Sequence, residues 1–323
     1  MQEKDVISVE YFEEPERFAD LVNGYVFSGE QVVKPESVRE LNRVVMKSHS
    51  DNTQSGSGYV IRDVRCEIGL GIRVVLISLE TQSDIHYAMP VRVMDADAAI
   101  YRRQWRKKRQ KHRKKKDLEG AEFLSGFARD DKLIPTLTLV LYFGFEPWDG
   151  PRRLKDMMDL SGIPDNLKKK IADYPMELLE VRTFPNPEKF QTDLQFVFGF
   201  LKHAEDKEKL AEYVEEHEDV FSDLDEQAFD MISCMSRAGE LKVVKEKYQN
   251  GKGGSINMCR AITEMIADGR REGRREGEDQ FARLMQILLD EGNAAGLQRA
   301  VSNQEYRHKL YMKYQICQQK INE

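Results

Sequence analysis

The chain divides into stretches of different hydrophobic period, and each stretch predicts one kind of element. Residues 15–27 place Phe18, Leu21, Val22 and Tyr25 on one stripe, which predicts an early amphipathic helix. Residues 59–66 alternate towards β character, and residues 74–79 form a nearly all-apolar run rich in Val and Ile. Glycines 69 and 71 lie between these two stretches, so we expect a β-hairpin with residues 60–63 opposite roughly residues 76–79.

The remaining pattern predicts an α/β domain followed by helices. Further strands are expected at residues 134–144 and 176–184, a turn leading into a helix at 148–159, and a helix or buried edge at 193–202. Beyond residue 204 apolar residues recur at helical spacing, as in small packed helices. We therefore expect one domain over residues 1–204 and a helical C-terminal extension over residues 205–323.

Within the extension, glycines recur every four residues in "GRREGRREG". Gly269, Gly273 and Gly277 form a slowly drifting ridge on a helix, although each glycine costs about 1 kcal/mol of helix stability relative to alanine. The ridge and the apolar residues after it favour a helix over residues 256–292 that joins two copies of the chain. The alternative is a weak helix or linker that is kept for its solubility.

Charge is distributed unevenly along the chain. The net charge is −6, yet residues 102–116 hold eleven Lys or Arg and no acid, so the rest of the chain is near −17. Such a block predicts contacts to nucleic-acid phosphates. The alternative is a solvated, mobile loop. Because like charges repel, we expect the unbound run to be extended or frayed, although it continues a helix-like segment at residues 88–101.

Composition excludes several classes of protein. Hydrophobic residues make up 40% of the chain, which suffices for a core, yet no apolar run approaches the 18–20 residues of a membrane span. The first sixteen residues are acidic and lack the apolar segment of a signal peptide. Four scattered cysteines without a C-x-x-C pair argue against zinc and predict a reducing, cytoplasmic location.

Candidate chemistry lies at the end of the apolar run, in "LETQSD". Glu80 and Gln82 point to one face of the predicted strand, and a carboxylate there is costly unless it is paired. Asp63 on the preceding strand would approach Glu80 if a bulge or bend turned it inward. Two carboxylates beside the carbonyl of Thr81 would suit Mg²⁺ or Mn²⁺. The E-x-Q triplet is short, and the alternative is a strand that simply runs into solvent.

Longer segments carry a more specific resemblance. They include "ERFADLVNGYVFSGEQVVKPE", "IRDVRCE", "LETQSDIHYAMPVRVMDADAAIY", "PTLTLVLYFGFEPWDGPRRLKDMMD" and "DYPMELLEV", in this order along most of the chain. With these segments the chain resembles the Rpn family of recombination-promoting nucleases and YhgA-like transposases, a bacterial branch of the PD-(D/E)XK nuclease superfamily. The resemblance implies a restriction-endonuclease-like α/β core with a mixed central sheet flanked by helices.

The resemblance also implies roles for single residues. Metal binding and catalysis fall on Asp63, Glu80 and Gln82, with the backbone carbonyl of Thr81 as a further ligand of Mg²⁺ or Mn²⁺. An acidic residue on the first core helix often joins such a site, and here Asp20 is the match, with Glu16 as the alternative. The residues expected to contact DNA phosphates are Arg92, Arg102, Arg103, Arg106, Lys107, Lys108 and Arg109.

Two residues depart from the pattern of these relatives. Gln82 stands where the wider superfamily has lysine, so it can orient a water molecule but adds no positive charge, and Ala96 stands where relatives tend to carry tyrosine. The leading hypothesis is a metal-dependent DNA endonuclease. One alternative is a catalytically degenerate protein that binds DNA or a protein partner of a mobile element or defence system. Another is a nuclease-fold subunit of such a system that acts on RNA.

Overall fold

The central element is a five-stranded mixed sheet, seen in a computed structural model of the chain. Neighbouring strands follow the order β1-β2-β3-β4-β5, and the first two pairs are antiparallel while the last two are parallel. The strands are β1 Val38–Glu40, β2 Tyr59–Glu67, β3 Ile72–Gln82, β4 Thr136–Tyr142 and β5 Glu177–Glu180. The structure describes residues 3–40, 59–67, 72–236, 241, 245–249 and 254–316.

The β2–β3 hairpin has the predicted register. Residues 60–63 pair one-to-one with residues 79–76, and the pairing stays regular from Tyr59 to Glu67. The expected turn at residues 68–71 and the polar loop at residues 48–58 lie outside the described residues.

Helices cover both faces of the sheet. On one face Val140 and Tyr142 of β4 pack with Met89 and Val93, which belong to α3, Met89–Lys115. On the opposite face the buried Thr81 hydroxyl lies 3.1 Å from the hydroxyl of Ser8 in α1. The first two helices are α1 Glu3–Glu13 and α2 Pro15–Tyr25. The predicted amphipathic helix is thereby confirmed as α2, in which Phe18, Leu21 and Val22 are fully buried and Tyr25 is half-buried.

Short helices complete the part of the chain that precedes residue 236. They are α4 Gly120–Ser125, α5 Asp165–Lys168, α6 Leu194–His203, α7 Lys207–Glu216, α8 Glu218–Phe221 and α9 Glu226–Met235. The helix expected within residues 148–159 is only a 3-10 turn, Leu154–Met157, and the strand expected at residues 176–184 ends at Glu180 and continues as a 3-10 turn. Residues 205–323 are not entirely helical, because Leu224–Asp225 (β6) pairs with Ser255–Ile256 (β7).

A buried arginine ties the helices after residue 204 to the sheet. Arg182 donates to the carbonyl oxygens of Phe143 at 3.0 Å, Leu201 at 2.8 Å and Met235 at 2.5 Å. It thus joins the end of β4 to the ends of α6 and α9. By its contacts the chain divides into two compact units, Met1–Met258 and Cys259–Glu323. The boundary expected at residue 204 falls inside the first unit.

The second unit is a small helical bundle. Its helices are α10 Met258–Asp290, α11 Ala294–Ser302 and α12 Gln304–Lys313. Its core consists of Leu284, Leu288, Ala300, Leu310 and Ile316. The glycine ridge lies on α10, where a Cβ atom added at Gly269, Gly273 or Gly277 would meet nothing within 4 Å among the residues that the structure describes. Over the described residues, no helix is both long enough and apolar enough to span a bilayer.

Candidate functional site

The carboxyl ends of three parallel strands meet at one edge of the sheet. Gln82 of β3 pairs in register with Tyr142 of β4, which in turn pairs with Glu180 of β5. Polar side chains that follow buried strands are therefore collected at this edge, as is usual in α/β sheets. Glu80 lies two residues before Gln82 on β3 and pairs with Val140.

Glu80 is a fully buried carboxylate with a cationic partner. Its side chain is 0% exposed, and its Oε1 atom lies 2.8 Å from a guanidinium nitrogen of Arg92, in the first turn of α3. Gln82 donates from Nε2 to the same oxygen at 3.2 Å. The desolvation cost of a buried carboxylate is offset only by such charge-assisted bonds. Arg92, which we expected to contact a phosphate, therefore binds the predicted catalytic glutamate in this structure.

Asp63 has a defined backbone position on β2. It pairs with Leu76, whereas the residue opposite Glu80 is Tyr59. Four residues of strand separate Tyr59 from Asp63, which corresponds to about 13 Å along the strand. The described pairing contains no bulge between Tyr59 and Glu67. The side chain of Asp63 lies outside the described part, so a metal ion shared with Glu80 stays a prediction.

The donor atoms at the edge agree in chemical type with a hard cation. Glu80, Gln82 and the carbonyl of Thr81 all supply oxygen, which Mg²⁺ and Mn²⁺ prefer. Within the described residues, which omit the side chain of Asp63, no three His, Cys, Asp or Glu side chains converge as they would around a metal ion. The carbonyl of Thr81 as a ligand also stays a prediction, while its hydroxyl packs against Ser8 on the opposite face.

Asp20 is buried in a hydrogen-bond network of its own. Its carboxylate accepts the backbone N–H groups of Gln191 and Thr192 at 2.7–2.8 Å and the hydroxyl of Thr192 at 2.7 Å. These bonds fix the segment that leads into α6. A metal ion at Asp20 would have to compete with them, and the alternative residue, Glu16, is exposed.

His86 belongs to the site, although the sequence analysis did not select it. It lies in the loop between β3 and α3, and its Nδ1 atom is buried with no hydrogen-bond partner in the described part of the chain. Burial lowers the pKa of His86, and the charge of Arg92 lowers it further. Both effects favour the neutral form of the imidazole. The available signal was its place in "SDIHYAMP", four residues after Gln82.

Acidic side chains surround the tyrosine at the end of β4. Burial raises the pKa of Tyr142, and the charges of Asp84, Glu180, Glu146 and Asp149 raise it further. The hydroxyl of Tyr142 donates to the carbonyl of Glu146 at 2.8 Å. Several carboxylates therefore lie near the end of β4, and one of them, Glu180, is paired with Arg152.

The basic run is helical rather than extended, which corrects our expectation. Residues 102–115 form the second half of α3, whose first half is anchored by the buried residues Met89, Val93, Asp97 and Ile100. The cations lie towards the C-terminal end of the helix, where the helix dipole favours positive charge. Carboxylates that follow in sequence pair with part of the run, so the repulsion that we considered is partly neutralised.

These carboxylates belong to residues 117–131, which we call the strap. Asp131 lies 2.9 Å from Nζ of Lys108 and 2.9 Å from Nε2 of His112. Asp117 lies 2.7 Å from Nδ1 of the same histidine. The indole of Trp105 donates to the carbonyl of Ser125 at 3.1 Å, so Trp105 anchors α3 to the strap.

Comparison with known proteins identifies a family that includes this part of the chain. Residues 72–231 match the family described as "Putative transposase, YhgA-like". The matched segment contains Glu80, Gln82, Arg92 and the basic half of α3, whereas Asp63 precedes it. Comparisons with curated proteins and with solved structures find no match. Through residues 72–231, the chain belongs to the YhgA-like transposase family.

Proposed function

We propose that this protein is a metal-dependent endonuclease that hydrolyses phosphodiester bonds in DNA. The observation that carries the proposal is the buried Glu80 at the end of β3, held by Gln82 and Arg92 within the family-matched segment. A buried carboxylate is costly, so its place beside two polar partners at a sheet edge favours a functional role. The mixed sheet between helices agrees with the restriction-endonuclease-like core that the resemblance implies.

The chain's own residues have separate tasks in this proposal. Glu80, Asp63 and the carbonyl of Thr81 would hold Mg²⁺ or Mn²⁺, and a bound ion of this kind would lower the pKa of a water molecule and stabilise negative charge on a phosphate. Gln82 orients the attacking water by hydrogen bonding. Arg92 has a donor fork that fits a phosphate, so it balances the charge of the scissile group.

A second candidate is a degenerate protein that binds DNA without cutting it. The contact between Arg92 and Glu80 favours this candidate, because a guanidinium 2.8 Å from Oε1 competes with a metal ion for the same oxygen. The regular pairing of β2 with β3 also favours it, since that pairing separates Asp63 from Glu80 along the sheet.

A plasmid-nicking assay combined with metal binding separates the two candidates. Supercoiled plasmid is incubated with the full chain and Mg²⁺ or Mn²⁺, and Mn²⁺ binding is followed by electron paramagnetic resonance without DNA. Glu80→Gln and Asp63→Asn, which keep the side-chain shape, should abolish nicking and weaken Mn²⁺ binding. Glu36→Gln changes the charge of an exposed glutamate away from the sheet edge and serves as the control.

The outcomes discriminate between the candidates. Nicking by Glu80→Gln at the wild-type rate would move the chemistry to other residues. A wild-type protein that binds plasmid but neither nicks it nor binds Mn²⁺ would be the degenerate binder. Cleavage of single-stranded RNA but not of DNA under the same conditions would assign the activity to RNA.

A further inference from the structure

The basic half of α3 has two opposite faces that differ in their partners. Successive residues of an α-helix are rotated by about 100°. On this basis one face, which we call the open face, consists of Arg102, Arg103, Arg106, Lys107, Gln110, Arg113 and Lys114. Within the described residues the six cations of the open face form no ion pair, and all but Arg103 are exposed.

The other face of the helix is occupied. Gln104 forms two hydrogen bonds with the backbone of Ile134. Its Nε2 donates to the carbonyl oxygen at 2.9 Å, and its Oε1 accepts the N–H group at 2.7 Å. Lys108 and His112 are paired with the carboxylates of the strap, and Trp105 is bonded to its backbone. The acids of the strap therefore neutralise only one side of α3, and the positive charge of the basic run is concentrated on the opposite side.

The open face leads to Arg92 at the sheet edge. Arg92, Ala99, Arg103 and Gln110 are separated by seven, four and seven residues, so they lie within about 20° of one line along the helix. Asp95 lies about 60° from this line, at the same angle around the helix as Arg113 of the open face. From Arg92 to Lys114 the helix advances by about 33 Å, at about 1.5 Å per residue. The line thus begins at the partner of Glu80 and ends at the last cations of the open face.

Small residues make this line accessible. Ala96 and Ala99 lie between Arg92 and Arg103 and carry only a methyl group. Ala99 also lines a surface hollow of about 290 Å³ together with Arg102, Arg103, Arg106, Lys107 and Gln110. A hollow with a methyl floor and guanidinium walls fits a phosphodiester backbone, because the charges can surround a phosphate that approaches the helix closely.

We infer that duplex DNA lies along the open face of α3, on one side of the cut site, with its phosphates on Arg102, Arg103, Arg106 and Lys107. A length of about 33 Å corresponds to about ten base pairs at 3.4 Å each. Lys108 takes no part, because it is already bound to Asp131. The position of the cut rests on the proposed nuclease function, whereas the binding face does not.

Two neighbouring lysines provide a matched test. Lys107→Gln and Lys108→Gln remove the same charge from adjacent positions, one on the open face and one on the strap face. Binding of the full chain to a 30-base-pair duplex is followed by fluorescence anisotropy over a range of KCl concentrations, in EDTA so that no cleavage occurs. Arg103→Gln and Arg106→Gln are further open-face variants, and circular dichroism checks that each variant is folded.

The salt dependence of binding is the decisive quantity. Removal of one cation that binds a phosphate should reduce the slope of log K against log salt by about 0.9. We expect this reduction for Lys107→Gln, Arg103→Gln and Arg106→Gln but not for Lys108→Gln. Equal slopes for Lys107→Gln and Lys108→Gln, or a wild-type protein that does not bind the duplex, would overturn the inference.

The length of the duplex separates this inference from the nuclease proposal. Duplexes are compared that have the same cut site and differ in the length of DNA on one side of it. Lengthening the side that lies along the open face should increase the affinity until that side has about ten base pairs, and lengthening the other side should have a smaller effect. A protein that shows the slope difference but never nicks DNA would retain the binding face and lose the nuclease function. If the protein nicks DNA but Lys107→Gln and Lys108→Gln have the same salt slope, the nuclease function is retained and the inferred DNA-binding face is wrong.

Discussion

A guanidinium nitrogen of Arg92 lies 2.8 Å from Oε1 of Glu80, and the glutamate is fully buried. The arginine comes from α3 and the glutamate from β3, so this pair joins the long helix to the end of the central strand. Only 21% of the arginine side chain is exposed, and solvent therefore screens the pair weakly.

Removal of the arginine should destabilise the fold. Arg92→Met leaves Glu80 as a buried charge that has lost its cationic partner, and breaking a buried pair in this way costs about 3–5 kcal/mol. Glu80→Gln in the same chain should restore much of the loss, because no buried charge then remains. Urea unfolding followed by tryptophan fluorescence measures this cost, since both tryptophans, Trp105 and Trp148, lie in the first unit.

An exposed ion pair supplies the control for Arg92→Met. Lys209 lies 3.0 Å from Asp206, and both side chains are largely exposed. Lys209→Met should therefore reduce the free energy of unfolding far less than Arg92→Met does, because solvent screens an exposed pair. A similar cost for Arg92→Met would show that the buried pair contributes no more than a surface pair.

Asp20→Ala should reduce stability without changing metal binding. The carboxylate of Asp20 accepts hydrogen bonds from Gln191 and Thr192 that would all be removed. We expect a decrease of about 2–4 kcal/mol in the free energy of unfolding, because buried donors would be left without an acceptor. Mn²⁺ titration provides the second readout, and a loss of Mn²⁺ affinity in folded Asp20→Asn would instead make Asp20 a ligand.

The attachment of the strap to α3 should depend on pH through His112. Hydrogen bonds with Asp117 and Asp131 raise the pKa of His112 above its ordinary value of 6.5. A raised pKa means that the stabilisation is fully present below pH 6.5 and is lost as the pH rises through the higher value of the folded state. Hydrogen exchange in residues 117–131, corrected for intrinsic rates, should therefore show more protection at pH 6 than at pH 8.5. His112→Gln should remove this difference, and a difference that persists would assign it to other groups.

Alanine substitutions on the glycine ridge separate helix stability from association. Added Cβ atoms at Gly269, Gly273 and Gly277 meet no atom of the described residues within 4 Å, so each substitution should stabilise α10 by about 1 kcal/mol. If the ridge packs against a second copy, the same methyl groups should weaken self-association. Circular dichroism measures the first effect and sedimentation equilibrium the second. Stronger helicity with unchanged sedimentation would exclude the ridge as a contact between chains.

The sequence was most informative where one local pattern determines the structure. The alternation in residues 59–66, the apolar run after Gly71 and the glycines between them were sufficient to predict the hairpin and its register. The stripe of Phe18, Leu21 and Val22 predicted α2 for the same reason. In each case the burial of one face leaves a single arrangement of the side chains.

The contact between Arg92 and Glu80 could not be predicted in this way. It depends on the position at which α3 begins after the loop from residue 83 to 88, and no periodic pattern specifies that position. The helicity of residues 102–115 was mispredicted because we considered only repulsion within the run. The neutralising carboxylates, Asp117 and Asp131, follow it directly, but their pairing requires the strap to turn back along the helix.

The parallel pairing of β3 with β4 has a consequence for the order of folding. Leu76 and Thr136 are partners that lie 60 residues apart in sequence, whereas Glu67 and Ile72 in the β2–β3 hairpin are separated by five. Closing a long loop costs conformational entropy before its contacts form, so distant strand pairs form slowly. The 27 residues of α3 lie within that loop and shorten its flexible part once the helix has formed. Glu80 therefore lies on a strand that can pair early, but its burial against Arg92 and β4 must wait until the helix docks, and the candidate site is completed late in folding.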